Sequence, residues 1–205
     1  MQRKERIAII GAGIQGVCSA LFLQKKGFNV TLFDRDEPGN AASYGNAGHF
    51  SPYASLQLNR TDIISDVPAM LLSSRGPLAI KWNYILQMVP WFTKFIFNSS
   101  KTKMMHTAKY MHQILNLSLD AFDELFQEIN LEDLVVSNGI MYVWEKKGYK
   151  SRELEINIRK ELGVDQQILS PKDIHDLEPN IKPFYHGGVF YKYARHARNP
   201  KKILI

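Results

Sequence analysis

The sequence predicts an α/β fold organised around one βαβ unit at its N-terminus, and three features predict it. Ile7-Ala8-Ile9-Ile10 is an apolar run of the kind that fills a buried parallel strand. It ends in Gly11-Ala12-Gly13-Ile14-Gln15-Gly16, a G-x-G-x-x-G where strand gives way to helix. Asp34 closes a second apolar strand, Val30-Thr31-Leu32-Phe33, 18 residues after Gly16.

Each part has a physical task. Gly11 permits the sharp turn, Gly13 lets backbone approach a pyrophosphate, and Gly16 lets the helix pack close to the strand. The helix carries Val17, Ala20, Leu21 and Leu23, then Lys25 and Lys26 in its last turn and Gly27 at its C-terminal cap. Its N-terminus, from Ile14 onward, points unpaired N–H groups and a positive dipole end at the turn, which favours a phosphate. Asp34 stands where an acid accepts hydrogen bonds from a ribose diol, and its charge opposes a 2′-phosphate. A glycine-rich turn alone is weak evidence; strand, helix and acid in this order make it a dinucleotide site, for NAD or FAD.

The chain continues as Asp34-Arg35-Asp36-Glu37-Pro38 and then Ala41-Ala42-Ser43-Tyr44-Gly45-Asn46-Ala47-Gly48-His49-Phe50-Ser51-Pro52. This stretch resembles the flavin-binding signature of the FAD-dependent amino-acid oxidoreductases related to D-amino acid oxidase. With Gly76-Pro77-Leu78-Ala79-Ile80-Lys81-Trp82 it is most similar to the bacterial D-amino acid dehydrogenase small subunits. The likeness runs on through Leu177-Glu178-Pro179, Gly187-Gly188 and Arg198-Asn199-Pro200, over essentially the whole chain but only the first half of the family's length.

The resemblance implies a Rossmann-like FAD-binding βαβ unit with a mixed α+β substrate-domain insertion, truncated. Residues 1–60 form the flavin-binding unit, 61–192 the first part of the substrate domain, and 193–205 the start of a return to the first unit. The implied cofactor set is Ile10, Gly11, Ala12, Gly13, Ile14, Gln15, Gly16, Asp34, Arg35, Ser43, Asn46, Ala47 and Gly48. The last four enter by resemblance alone. One departure is Tyr193-Ala194-Arg195-His196, where many relatives carry an acid before the Asn-Pro pair.

Composition narrows the classes. At 45% hydrophobic and 22% charged the chain is globular in composition. The net charge of +6 comes from scattered lysines, with no nucleic-acid module, so a solvated basic surface is expected. A lone cysteine, Cys18, excludes an internal disulfide and reads as a small buried side chain, which fits the cytoplasm. Gln2-Arg3-Lys4-Glu5-Arg6 before an apolar stretch imitates a signal peptide, but three glycines at turn spacing serve the cofactor turn instead. No stretch approaches the ~20 apolar residues of a membrane span.

Further along, a short helix is expected from Thr61 or Asp62 to Leu72, broken at Ser73-Ser74-Arg75-Gly76-Pro77. Ile80–Phe97 is rich in aromatic residues, with Lys81 and Lys94 between them and Pro90 as a kink. Its apolar residues are not confined to one stripe, which favours packing over peripheral membrane contact, the competing reading. Thr102–Ile129 reads as one long helix with Met111, Ile114, Leu115, Leu119, Phe122, Leu125, Phe126 and Ile129 on a single face. Asp120, Asp123, Glu124 and Glu128 read as its solvated side. His106 and His112 are six apart, the wrong spacing for metal ligands on one face, and no histidine makes a metal signature. A strand at Met141–Trp144, a helix over Ser151–Leu162, a capped helix from Ser170-Pro171, a strand at Gly188–Tyr191 and a helix opened by Asn199-Pro200 complete the chain.

By resemblance the full-length form oxidises a D-amino acid to a 2-oxo acid and ammonia. Hydride passes from the substrate Cα to FAD, and electrons pass on to a respiratory acceptor, at the inner face of the plasma membrane if membrane contact is made. Glycine, sarcosine or proline are alternative substrates. The residues that clamp the substrate carboxylate belong, by resemblance, to the family's second half, so no catalytic residue is assigned, and His49 beside the flavin reads mainly as packing. The ending Lys201-Lys202-Ile203-Leu204-Ile205 is what a frameshift or truncation leaves, and a non-catalytic remnant is the alternative to the enzyme. Equilibrium titration of the purified chain with FAD and with NAD is expected to show preference for FAD; preference for NAD overturns the flavin assignment.

Overall fold

The computed structural model describes residues 5–72, 78–146 and 149–204. The expected break at Ser73–Pro77, with the Gly76-Pro77 pair, lies outside them, as do Gln2–Lys4 and Ile205. In chain order the elements begin β1 (Arg6–Ile10), α1 (Ile14–Lys25), β2 (Asn29–Phe33), β3 (His49–Phe50) and α2 (Thr61–Leu72). Then come α3 (Ile85–Phe97), α4 (Lys101–Asn116), α5 (Ser118–Glu128), β4 (Val135–Val136) and β5 (Ile140–Trp144). The last are α6 (Tyr149–Glu161), β6 (Gln167–Leu169), α7 (Pro171–Leu177), β7 (Gly187–Tyr191) and β8 (Arg195–Ala197).

The backbone groups into two units. One combines Met1–Ser51, Leu119–Asn138 and Ala194–Ile205; the other combines Pro52–Ser118 and Gly139–Tyr193. Leu119–Asn138 thus groups with the glycine turn, whereas the sequence reading put it inside the 61–192 segment.

In the first unit β1 and β2 pair in parallel, Ile7 opposite Val30 and Ile10 opposite Phe33. The helix between them ends as expected. Gly27 takes φ +89°, its N–H donates to the Gln24 carbonyl, and the Phe28 N–H donates to Leu23. Ile10 is 92% exposed, since side chains alternate and only one face of this two-stranded sheet is covered. Cys18 is half-buried on α1, and burial pushes its thiol pKa up, away from reactivity.

A three-stranded antiparallel sheet, β3-β8-β4, completes the unit. Its core is Phe126, Ala197 and Ile203, with Ile14, Phe50, Phe122 and Leu134 against them. The Phe50 ring meets the Phe122 and Phe126 rings edge-on. The acidic face of α5 is not simply solvated. Lys25 on α1 reaches Glu124 at 2.6 Å and Glu128 at 2.7 Å, and Arg195 on β8 grips Asp123 with both outer nitrogens. Those ion pairs tie α5 to its neighbours, and sequence spacing alone does not reveal partners so distant in the chain.

The expected single helix over Thr102–Ile129 is two. It parts at Leu117, where the Ser118 hydroxyl donates to the Leu115 carbonyl and competes with the helical ladder. The predicted face holds in α5, where Leu125 and Phe126 are buried, but α4 buries Met104 and Ala108 and leaves Ile114 exposed. An i, i+4 pair containing alanine lets a neighbour approach closely, which the larger residues do not. At the end of the chain, Asn199-Pro200 opens a single 3-10 turn, Lys201–Ile203, rather than an α-helix. The Asn199 Oδ1 accepts from the Lys201 and Lys202 N–H groups and closes the turn locally.

In the second unit β7 is the central strand of the antiparallel sheet β5-β7-β6. Leu169, Ile174 and Tyr185 form a core beside it. The α7 helix begins as the sequence predicts. Ser170 accepts from the Asp173 N–H, Asp173 accepts from the Ser170 N–H, and Pro171 takes the first helical position. No residue of α3 is buried, and Pro90 sits inside the helix without ending it. Among the described residues no helix is long and apolar enough to cross a membrane.

Glu155 on α6 is the electrostatic centre of this unit. Its side chain is 8% exposed, and it accepts from Arg60 and Arg152 at 2.8 Å and from Arg159 at 3.0 Å. Burial alone raises its pKa; Arg60, Arg152 and Arg159 outweigh that and hold it below the ordinary carboxylate value. Such a group contributes stability above its unfolded pKa and loses it as pH falls through its lower folded value. Glu155→Gln leaves buried guanidinium groups short of their anion and is expected to cost about 3–5 kcal/mol at neutral pH. Urea melts across an acidic pH series should show the gap to the unsubstituted protein narrowing as the carboxyl protonates.

Candidate dinucleotide-binding site

The turn between β1 and α1 is closer than any side chain allows. A Cβ on Gly16 would lie 1.9 Å from the Gly11 carbonyl oxygen, so that position takes glycine alone. Gly11 itself has φ +103°, in the left-handed region. The first α-helical bond runs from the Val17 N–H to the Gly13 carbonyl. The N–H groups of Gly13, Gln15 and Gly16 therefore stand ahead of it, at the positive end of the helix.

Two neighbouring donors already have partners. The Ala12 N–H donates to Asp34 Oδ2 at 2.7 Å, and the Ile14 N–H donates to the Ser43 hydroxyl at 3.0 Å. Asp34 Oδ1 also accepts from the Asp36 N–H. The Ala12 N–H first, and then that of Asp36, hold the Asp34 carboxyl below its usual range, so it is an anion at neutral pH. A carboxylate has about four acceptor positions, so capacity remains for a diol beside these bonds.

Ser43 brings the next segment onto the turn. Its Oγ lies 3.2 Å from where a Gly13 Cβ would stand, and having accepted from Ile14 it retains one O–H to donate. Asn46 folds the segment. Its amide donates to the Ala42 and Ser43 carbonyls, and its Oδ1 accepts from the Gly48 N–H at 2.6 Å. Gly48, at φ +64°, is pressed against Ala197 and Pro200, and its carbonyl accepts from the Ala197 N–H at 2.7 Å.

The predicted residues thus divide by position. Ile10, Gly11, Ala12, Gly13, Ile14, Gln15 and Gly16 form the turn; Asp34 and Ser43 bond directly to it. Asn46 and Gly48 shape the segment that carries Ser43, with Ala47 exposed between them, and the amide of Asn46 is spent on that fold. Arg35 is 89% exposed on its side chain and pairs with Asp36 at 3.3 Å. His49 is exposed on β3, opposite His196.

Three contributors, Gly39, Ala197 and Pro200, were not singled out as site residues from sequence. The Gly39 N–H donates to the Ala12 carbonyl, and a Cβ on Gly39 would lie 2.8 Å from Leu204. Pro200 and Ala197 seat Gly48. The signal for Gly39 was present, since Pro38-Gly39 is a turn dipeptide, but its partner lies far along the chain. Among the described residues no group of histidine, cysteine, aspartate and glutamate makes a metal site. The turn fits a pyrophosphate in the plain sense that it offers backbone donors where no Cβ intrudes.

Residues 6–205 match the family model described as DAO, FAD dependent oxidoreductase. The chain is 33% identical over 203 residues to a D-amino-acid oxidase of Bradyrhizobium diazoefficiens, covering 98% of this chain and 48% of that protein. It is 22% identical over 201 residues to a D-amino acid dehydrogenase of Helicobacter pylori, again covering 98% and 48%. The chain spans about half the length of the curated relatives it matches. Among solved structures, glycine oxidase from Geobacillus kaustophilus superposes with a TM-score of 0.57 at 13% identity, over 97% of this chain and 42% of that one. At that identity the likeness concerns the fold.

Two glycines separate steric need from mere glycine content. Gly16→Ala is expected to lower stability by about 3 kcal/mol or more, because the added methyl meets backbone. Gly45→Ala, with nothing within 4 Å of its Cβ position, should change it by no more than about 0.5 kcal/mol. Urea midpoints of the two variants decide this.

Proposed function

The chain belongs to the DAO family of FAD-dependent oxidoreductases, and on that premise we propose that its first unit holds the dinucleotide part of FAD in a protein that oxidises D-amino acids. The observation that carries this is the bond from the Ile14 N–H to Ser43 Oγ, which sets the Ser43–Gly48 segment on the helix N-terminus. In this reading the N–H groups of Gly13, Gln15 and Gly16 and the Ser43 O–H donate to pyrophosphate oxygens, while Asp34 accepts from the ribose diol. Ile10, Gly11, Ala12 and Ile14 give the turn its shape. Asn46 and Gly48, with Ala47 between them, position Ser43, and Arg35 lies near the adenosine end.

The bound flavin supplies the acceptor for the hydride leaving the substrate Cα. The overall change is D-amino acid plus water plus oxidised acceptor to 2-oxo acid, ammonium and reduced acceptor. The two relatives named above, an oxidase and a dehydrogenase of D-amino acids, support this substrate class over glycine, sarcosine or proline. We assign the electrons to a respiratory acceptor at the inner face of the plasma membrane. Exposed Trp82, Leu86 and Phe97, with Lys81 and Lys94 beside them, suit peripheral contact with such a surface.

The test is a screen of D-amino acids, glycine, sarcosine and proline against FAD-loaded protein from the longest product of this reading frame. Dye reduction and oxygen consumption are followed side by side. Turnover of D-amino acids with dye in preference to oxygen is the expected result. Preferential turnover of glycine, sarcosine or proline overturns the substrate class, and preference for oxygen overturns the acceptor. Bound FAD without turnover on any substrate marks a non-catalytic protein.

A further inference from the structure

The second unit contains a cavity of about 1260 Å³, large enough for a drug-sized molecule. Its lining includes Tyr84, Met88, Trp91, Phe92 and Phe95, all on α3 or the turn before it. Tyr53, Tyr142 and Tyr191 also line it, with the Tyr53 and Tyr191 rings stacked at 3.8 Å. All lining residues belong to the second unit, and none comes from the Gly11–Gly16 turn or the Ser43–Gly48 segment.

Charge enters this apolar space through Arg152, Glu155 and Arg159 on one face of α6, and through Arg60 and Lys81. The Arg159 side chain is 11% exposed; its Nη1 donates to Glu155 Oε2 and its Nε to the Tyr53 carbonyl. The guanidinium also lies over the Tyr53 and Tyr191 rings, 5.9 Å and 5.5 Å from their centroids, and interacts with the Tyr191 hydroxyl. Arg152, half-exposed at the rim, donates Nη1 to Glu155 Oε1. A guanidinium has five N–H donors and no acceptor, so the remaining edges of both arginines accommodate only an acceptor. The carboxylate of Glu155 is already shared among its arginines, which leaves little to bind an ammonium group.

We infer that this cavity binds an amphipathic monocarboxylate, with the carboxylate on Arg159 and Arg152 and the apolar body against Trp91, Phe92 and Phe95. Planar guanidinium and carboxylate pair with directional, charge-assisted bonds, and a low-dielectric wall strengthens them. An amino acid is a poorer fit, since its ammonium group would lie beside the arginines. This site is therefore separate in chemistry from the oxidation proposed above and does not depend on it.

The chain has three tryptophans, of which Trp91 and Trp144 line the cavity, so intrinsic fluorescence reports its occupancy. Titration with octanoate and 3-phenylpropionate is compared with octanamide and 3-phenylpropanamide, their neutral counterparts. The acids are expected to bind about tenfold or more tightly than the amides. Arg159→Gln should abolish that preference while leaving amide affinity within about twofold, and Trp91→Ala should weaken acid and amide alike. Where circular dichroism shows Arg159→Gln unfolded, Arg152→Gln at the rim takes its place, with the acid-over-amide ratio expected to fall about threefold. Equal binding of acids and amides overturns the inference. So does a preference that survives in every folded arginine variant, or the absence of binding in both the chain and the longest product of its frame.

Discussion

The close backbone approach at Gly16 sets the geometry of the first unit. With 1.9 Å between the Gly11 oxygen and the place a Cβ would take, α1 must start hard against the end of β1. That start presents the Ala12 and Ile14 N–H groups sideways, to Asp34 and Ser43, and leaves later ones pointing along the helix axis. From Ser43 the dependence passes to Asn46, which folds the segment, and to Gly48, which is seated on Ala197 and Pro200. One steric fact near the N-terminus therefore governs where residues nearly two hundred positions later must lie.

Charge plays different parts in the two units. Around α5 the ion pairs of Lys25 and Arg195 are partly exposed, so each contributes modestly and mainly fixes the helix's position. Around Glu155 the same chemistry is buried, and its removal is expensive because an isolated buried charge has no water to turn to. Burial, more than the count of pairs, separates locating a helix from sustaining a unit.

Much of the first unit was legible because its signals are local. The apolar strands, the glycine spacing, the terminal acid and the Gly27 cap all lie within one βαβ stretch, as does the capping box at Ser170 within its own turn. What was illegible is long-range. Strands β3, β4 and β8 are two or three residues long, too short for alternation to register. Ser43 caps a helix that begins 29 residues earlier, so no capping motif announces it. The division of Thr102–Ile129 hinged on one serine hydroxyl, and the apolar periodicity ran straight through it. The acids of α5 look solvated in a helical projection because Lys25 and Arg195 are nowhere near them in sequence.

The first unit is threaded from three separated pieces, and β8 lies between β3 and β4 in their sheet. During synthesis, β3 leaves the ribosome about 145 residues before the strand that must pair with it. At roughly 5–20 residues per second that is an interval of about 7–30 s. Throughout it the Ser43–Gly48 segment lacks the surface on which Gly48 rests. The second unit's Pro52–Ser118 piece is made in that window, so a nascent chain has its exposed aromatic helix before its glycine turn is complete. The Ser43–Gly48 segment can therefore settle against its seat only once Ala197 has been made.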